Sequence, residues 1–177
     1  MNQVQRAFPT LKVRYVIDSS LPPLSAASLA PCFQDRMREL WGLDDGPLVD
    51  CGASCSDPHD YWRAYALFVA QSFADRPAGF IDAIEDGMMR SFCGIGFREC
   101  RGSLLFDSLP ARDFRNELLS FREAVKSLPS YGTFYPAGEQ HTWLKSDSFY
   151  TGKAGDELLV DWVGRIVTDQ APGHFGP

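Results

Sequence analysis

The stretch "PAGFIDAIED", residues 77–86, decides how this chain folds. Its centre, "GFIDAI" (79–84), is an apolar run bounded by breakers and too short for an ordinary helix, which predicts a strand buried on both faces. Strands covered on both faces belong to parallel sheets, whose crossover helices supply the cover. The acidic pair Glu85 and Asp86 then stands at the strand's carboxyl end.

Two further strands flank this one in sequence. Residues 11–17, "LKVRYVI", alternate apolar and polar positions and run into the turn "DSSLPP"; residues 131–135, "YGTFY", are the third strand. Helical spacing fills the intervals. Leu29, Phe33, Met37 and Leu40 mark an amphipathic helix within 25–42 that stops at Gly42. Asp57 as a cap, followed by Pro58, opens a helix through Tyr65, Phe68 and Phe73 that Pro77 closes. Phe114, Leu118, Phe121 and Val125 form one face of a helix between Pro110 and Pro129, and Leu158, Leu159, Trp162, Val163, Ile166 and Val167 form the stripe of the last one. Residues 46–56 read as a loop, and the tail "APGHFGP" (171–177) as irregular. Strands alternating with helices give an α/β class, with a three-stranded parallel sheet, right-handed crossovers and a single domain over 1–177.

The chain has 177 residues, 45% of them apolar, enough for a real core. No apolar run reaches the length that spans a bilayer, and "MNQVQRAFPTLK" has no apolar stretch of the kind a secretion signal carries. The net charge is -6 and the basic residues are scattered among acids, which excludes nucleic acid as a partner. Trp41, Trp62, Trp143 and Trp162 read as core or groove residues. Five cysteines (Cys32, Cys51, Cys55, Cys93 and Cys100) leave one without an internal disulfide partner. Cys51, Cys55 and His59, with Cys32, could be spaced as zinc ligands, but the close ligand pairs of zinc sites are missing and disulfides are the better reading.

In open α/β sheets, functional side chains gather in the loops after the strands. Here those loops are "DSSLPP", "EDGMMRSF" and "PAGEQHTW", and two of them offer Asp86 and His141, 55 positions apart. A lone loop histidine ordinarily faces solvent, and an acid at a strand end ordinarily caps the next helix. Taken together, in this order, they fit the second and third members of a Ser–Asp–His triad: His141 as general base, Asp86 as the carboxylate that orients its ring. The serine is missing. No G-x-S-x-G elbow occurs; Ser54 in "GASCS" lacks the second glycine, and Ser19 and Ser20 lead into prolines and read as turn residues. No cofactor motif accompanies the pair.

The segments "VIDSSLPPLSAASLAPCFQDRMRELWGL", "DAIEDGMMRSF" and "GEQHTWLKSDSFYTGKAGDELLVDWVGRIV" resemble the carboxyl-terminal half of the pectinacetylesterase family, which includes bacterial pectinacetylesterase-like lipoproteins and the animal relative Notum. The likeness covers nearly the whole chain. It implies part of an α/β-hydrolase fold and a serine esterase that cleaves acyl groups from a saccharide or a similar ester, outside the cytoplasm. His141 in "EQHTW" matches the family's histidine and Asp86 in "EDGMM" its aspartate, with Glu85 as the fallback acid. The family's serine elbow and oxyanion-hole glycines lie upstream of the matched region, so the resemblance implies an amino-terminal half as a partner for this one. Without it, the sheet is expected to leave an unpaired edge beside exposed apolar surface. The resemblance further implies oxidised cysteines, with Cys32 bridged to Cys51 or Cys55 and the odd cysteine paired with the missing half.

Overall fold

The structure is a computed structural model that describes residues 2–20, 22–72, 74–94, 100 and 108–177. Four strands, β1 (Tyr15–Asp18), β2 (Ala78–Ile81), β3 (Tyr131–Phe134) and β6 (His174–Phe175), form one parallel sheet in the order β1-β2-β3-β6. A two-residue hairpin ladder, β4 (Lys153–Ala154) with β5 (Glu157–Leu158), lies apart from it. The helices are α1 (Asn2–Ala7), α2 (Pro31–Leu40), α3 (Pro47–Cys51), α4 (Tyr61–Ser72), α5 (Gly87–Gly94), α6 (Ala111–Val125), α7 (Ser148–Thr151) and α8 (Leu159–Val167). The α/β class read from the sequence is the observed one.

Strand alternation sorts the core into two layers. Tyr15, Ile17, Ala78, Phe80 and Tyr131 face one side and pack with residues of α2, α4 and α6. Val16, Ile81 and Phe134 face the other and pack against Leu159, Trp162 and Ile166 of α8. All four residues of β2 and of β3 are buried, as the uninterrupted apolar run of β2 predicts. Helix α6 begins directly after Pro110, carries Asp113 in its first turn and Arg122 in its last, and buries Phe114, Leu118, Phe121 and Val125. Burying each of these large side chains contributes about 1.5–3 kcal/mol relative to leaving it in water.

Several expectations need correction. The sheet has four strands, because the tail supplies β6: Thr133 donates its N–H to Gly173 O (3.2 Å) and Tyr135 to Phe175 O (2.9 Å). Arg122 holds the tail from α6, donating to Phe175 O at 2.7 Å and to Thr133 Oγ1 at 2.9 Å. Residues 47–55 are not a loop but α3 and a 3-10 turn, whose Leu48, Cys51 and Cys55 pack on Tyr61 as a small separate cluster. Asp57 caps only a local turn, accepting the His59 N–H at 2.8 Å, so α4 starts at Tyr61. Phe73, expected on its inner face, lies outside the described residues. Leu40, Trp41 and Val167, read as inward, are exposed, because each stands at or just past a helix end where the buried stripe has turned away from the core.

The disulfides join Cys32 to Cys100 and Cys51 to Cys55. Cys32 therefore bridges neither Cys51 nor Cys55: those two sit four positions apart on adjoining helical turns, while Cys100 is brought to Cys32 from 68 positions away. The odd thiol, Cys93, is 1% exposed, so no outside partner reaches it. Beside β1, the edge strand, runs an apolar cleft of about 600 Å³ lined by Tyr15, Ile17, Trp62, Tyr65, Val69 and Phe80. Among the described residues no strand pairs with the outer side of β1.

Candidate active site

The loops that follow β2 and β3 continue side by side after the strands end. Asp82 donates its N–H to Phe134 O (3.2 Å), Ile84 to Pro136 O (2.9 Å), Glu85 to Gly138 O (3.1 Å) and Gly87 to Glu139 O (3.1 Å). This irregular ladder carries Asp86 alongside the loop 136–141 and fixes how close the two can come.

Asp86 ends that path at the start of α5. Its Oδ1 accepts the N–H of Met89 at 2.8 Å, the third residue of the helix, which is the geometry of a side-chain N-cap. Its Oδ2 faces Nδ1 of His141 at 2.9 Å. The cap reading and the histidine-partner reading are thus both true of one carboxylate. Asp86 is fully buried and His141 is about one-third exposed, 0% against 32% of the side chain. With Nδ1–H donated to the carboxylate, Nε2 on the far side of the ring is the free acceptor, and no partner for it is found among the described residues.

The fallback acid is elsewhere. Glu85 pairs with Arg115 on α6 through Oε1 at 2.5 Å, away from the imidazole. The adjacent loop is braced by Arg90, which donates to Leu109 O at 2.9 Å and meets Glu139 Oε1 at 3.2 Å.

Behind Asp86 lies a second acid that the sequence hid inside an apolar run. Asp82 is fully buried, and neither of its oxygens accepts a well-formed hydrogen bond. Burial first, then the charge of nearby Asp86, drives the Asp82 carboxyl well above the usual range. Loss of hydration disfavours the charged form, so the buried site favours the neutral acid at Asp82. Cys93 lies near the same acids; burial pushes its thiol up to about 12, with Asp82 and Asp86 adding to the effect.

The histidine loop is also held from β1. Asp18 and Ser19, at the end of that strand, bond the backbone of residues 142–144. Sequence reading set "DSSLPP" outside the site, since nothing in a turn-like hexapeptide announces a contact made more than 120 positions away. A signal was there in retrospect: an acid closing a strand, at the same end of the sheet as Asp86 and His141.

Of the serines weighed as nucleophile, Ser19 is buried with its hydroxyl engaged by Asp18 and by the Thr142 N–H. Ser54 is exposed in the 3-10 turn between the paired Cys51 and Cys55, outside the strand-end loops that carry Asp86 and His141. The same disulfide removes the thiolates that a zinc site with His59 would need, and no group of three His, Cys, Asp or Glu side chains suited to a metal occurs among the described residues. No helix among them is long and apolar enough to cross a membrane. Comparison with family models, curated proteins and solved structures finds no match to the chain.

Proposed function

We propose that this chain supplies the acid and base of a serine carboxylesterase of the pectinacetylesterase and Notum kind, built on part of an α/β-hydrolase fold. The observation that carries the reading is the 2.9 Å contact between Nδ1 of a one-third exposed His141 and Oδ2 of a fully buried, helix-capping Asp86. The nucleophilic serine comes from sequence outside these residues, and the substrate is an acyl ester, such as an acetylated saccharide. No metal or cofactor takes part.

In that reaction Nε2 of His141 takes the serine hydroxyl proton as Oγ attacks the ester carbonyl, and the imidazolium then gives this proton to the departing alcohol. Water repeats the cycle: it loses a proton to Nε2, attacks the acyl-serine and releases the acid, and the proton returns to Oγ. Asp86 stays ionised throughout, keeps the proton on Nδ1 before the reaction and stabilises the imidazolium during it. The two disulfides suit an oxidising compartment, extracellular or periplasmic.

The open edge of β1 and the apolar cleft beside it are where an amino-terminal half would add its strands. A rival reading, a binding module that keeps the fold but not the chemistry, is favoured by the lack of any serine at Nε2 among the described residues. The in-frame coding sequence before Met1, expressed joined to this chain, separates them. A serine elbow there, with fluorophosphonate labelling that His141→Ala abolishes, is the expected result. An upstream sequence without such a serine, or labelling indifferent to His141→Ala, overturns the esterase reading.

A further inference from the structure

We propose that Asp18 and Ser19 are positioning residues for His141, a role that rests on the esterase reading for its purpose but not for its physical test. Three consecutive backbone N–H groups follow the histidine, and all three are taken by these two side chains. Thr142 donates to Ser19 Oγ at 3.0 Å, Trp143 to Asp18 Oδ2 at 2.8 Å and Oδ1 at 3.1 Å, and Leu144 to Asp18 Oδ2 at 2.9 Å. Ser19 Oγ in turn donates to Asp18 Oδ1 at 3.2 Å, so the two acceptors form one unit.

The unit is anchored to the sheet: Ser19 is 3% exposed and its own N–H reaches Ile81 O at 2.8 Å, at the end of the neighbouring strand β2. It also fixes an unusual backbone. Ser19 has φ +46° and Thr142 has φ +64°, the left-handed region that residues with a Cβ seldom occupy without outside support. The two left-handed residues meet in the Thr142–Ser19 hydrogen bond. Charged-acceptor bonds to backbone N–H are the strong kind. Fixing residues 142–144 fixes the chain direction leaving His141, and with it the Cα–Cβ bond from which the ring must reach Asp86. Asp86 aligns the ring through Nδ1; Asp18 and Ser19 align the main chain that bears it.

Nitrogen-15 NMR of the full chain tests the role through two readings, amide exchange at residues 142–144 and the tautomer pattern of the His141 ring nitrogens. In Asp18→Asn one oxygen is replaced by an N–H₂ group that cannot accept. Exchange at Trp143 and Leu144 should quicken by about tenfold, as expected when a hydrogen bond to a charged acceptor is lost. Phe80 and Thr133 in the sheet should keep their protection, and the His141 pattern should change from one tautomer to an average of two. Ser19→Ala should act most strongly on Thr142 and carries the same test should Asp18→Asn not fold. An unchanged His141 tautomer pattern in a folded variant whose 142–144 amides have been released overturns the proposal. A changed pattern, together with fluorophosphonate labelling of the completed enzyme that ignores His141→Ala, upholds the positioning role and removes the esterase reading.

Discussion

At the scale of single residues, Asp86 does with two oxygens what two residues do elsewhere: one closes a helix and the other holds an imidazole. Asp82 behind it carries a sign that can be measured. Its folded pKa lies well above the ordinary 3.8, so the native state keeps a proton that the unfolded chain releases. The stability this brings is complete below that ordinary value and drains away as pH rises. Asp82→Asn keeps the shape of the side chain and has no proton to lose. Its resistance to denaturant should therefore exceed the parent's at neutral pH and stay flatter from about pH 4 to about pH 8. Equal slopes for the two proteins would mean that Asp82 is ionised in the fold. His141 and Asp86 were readable in the sequence because each lies in a loop that follows a strand. Asp82, Asp18 and Ser19 were not, since an acid inside "GFIDAI" or a serine in "DSSLPP" gains its role only from partners that the fold brings up.

At the scale of elements, the sheet and α8 are fitted to each other at Gly79. A methyl built there would stand 2.2 Å from Cη2 of Trp162, a rigid ring that is itself fully buried. Gly79→Ala should cost about 1–3 kcal/mol by overpacking, read as a lower denaturant midpoint with an unchanged slope. A midpoint within error of the parent's would show that α8 can slide away. Long periodic elements such as α6 were legible because four apolar residues repeat at helical spacing. β6 was not: two residues are too few to show a period, and what makes them a strand is a set of main-chain bonds to β3 with Arg122 clasping the tail. α3 was hidden differently, its buried side consisting of Leu48 and Cys51 alone, joined by Cys55 from the 3-10 turn that follows.

At the scale of the whole molecule, the cysteines divide into four that are joined and one that is sealed in the core. A thiol reagent should find nothing to react with in the native protein and one thiol per chain once it is unfolded without reductant. Burial keeps Cys93 both out of reach and, at about 12, far from its reactive thiolate form. Rapid native labelling would instead show that the core opens at Cys93. The parallel order β1-β2-β3 has a further consequence. His141, on the loop after β3, is held through its ring by Asp86 from the loop after β2 and through the main chain beyond it by Asp18 and Ser19 from the end of β1, and a one-residue slip displaces a strand by about 3.3 Å, more than such bonds tolerate. A misaligned sheet would thus lack the pair. On the esterase reading the chain would proofread its own assembly, since the His141–Asp86 pair is complete only after β1, β2 and β3 have found one another.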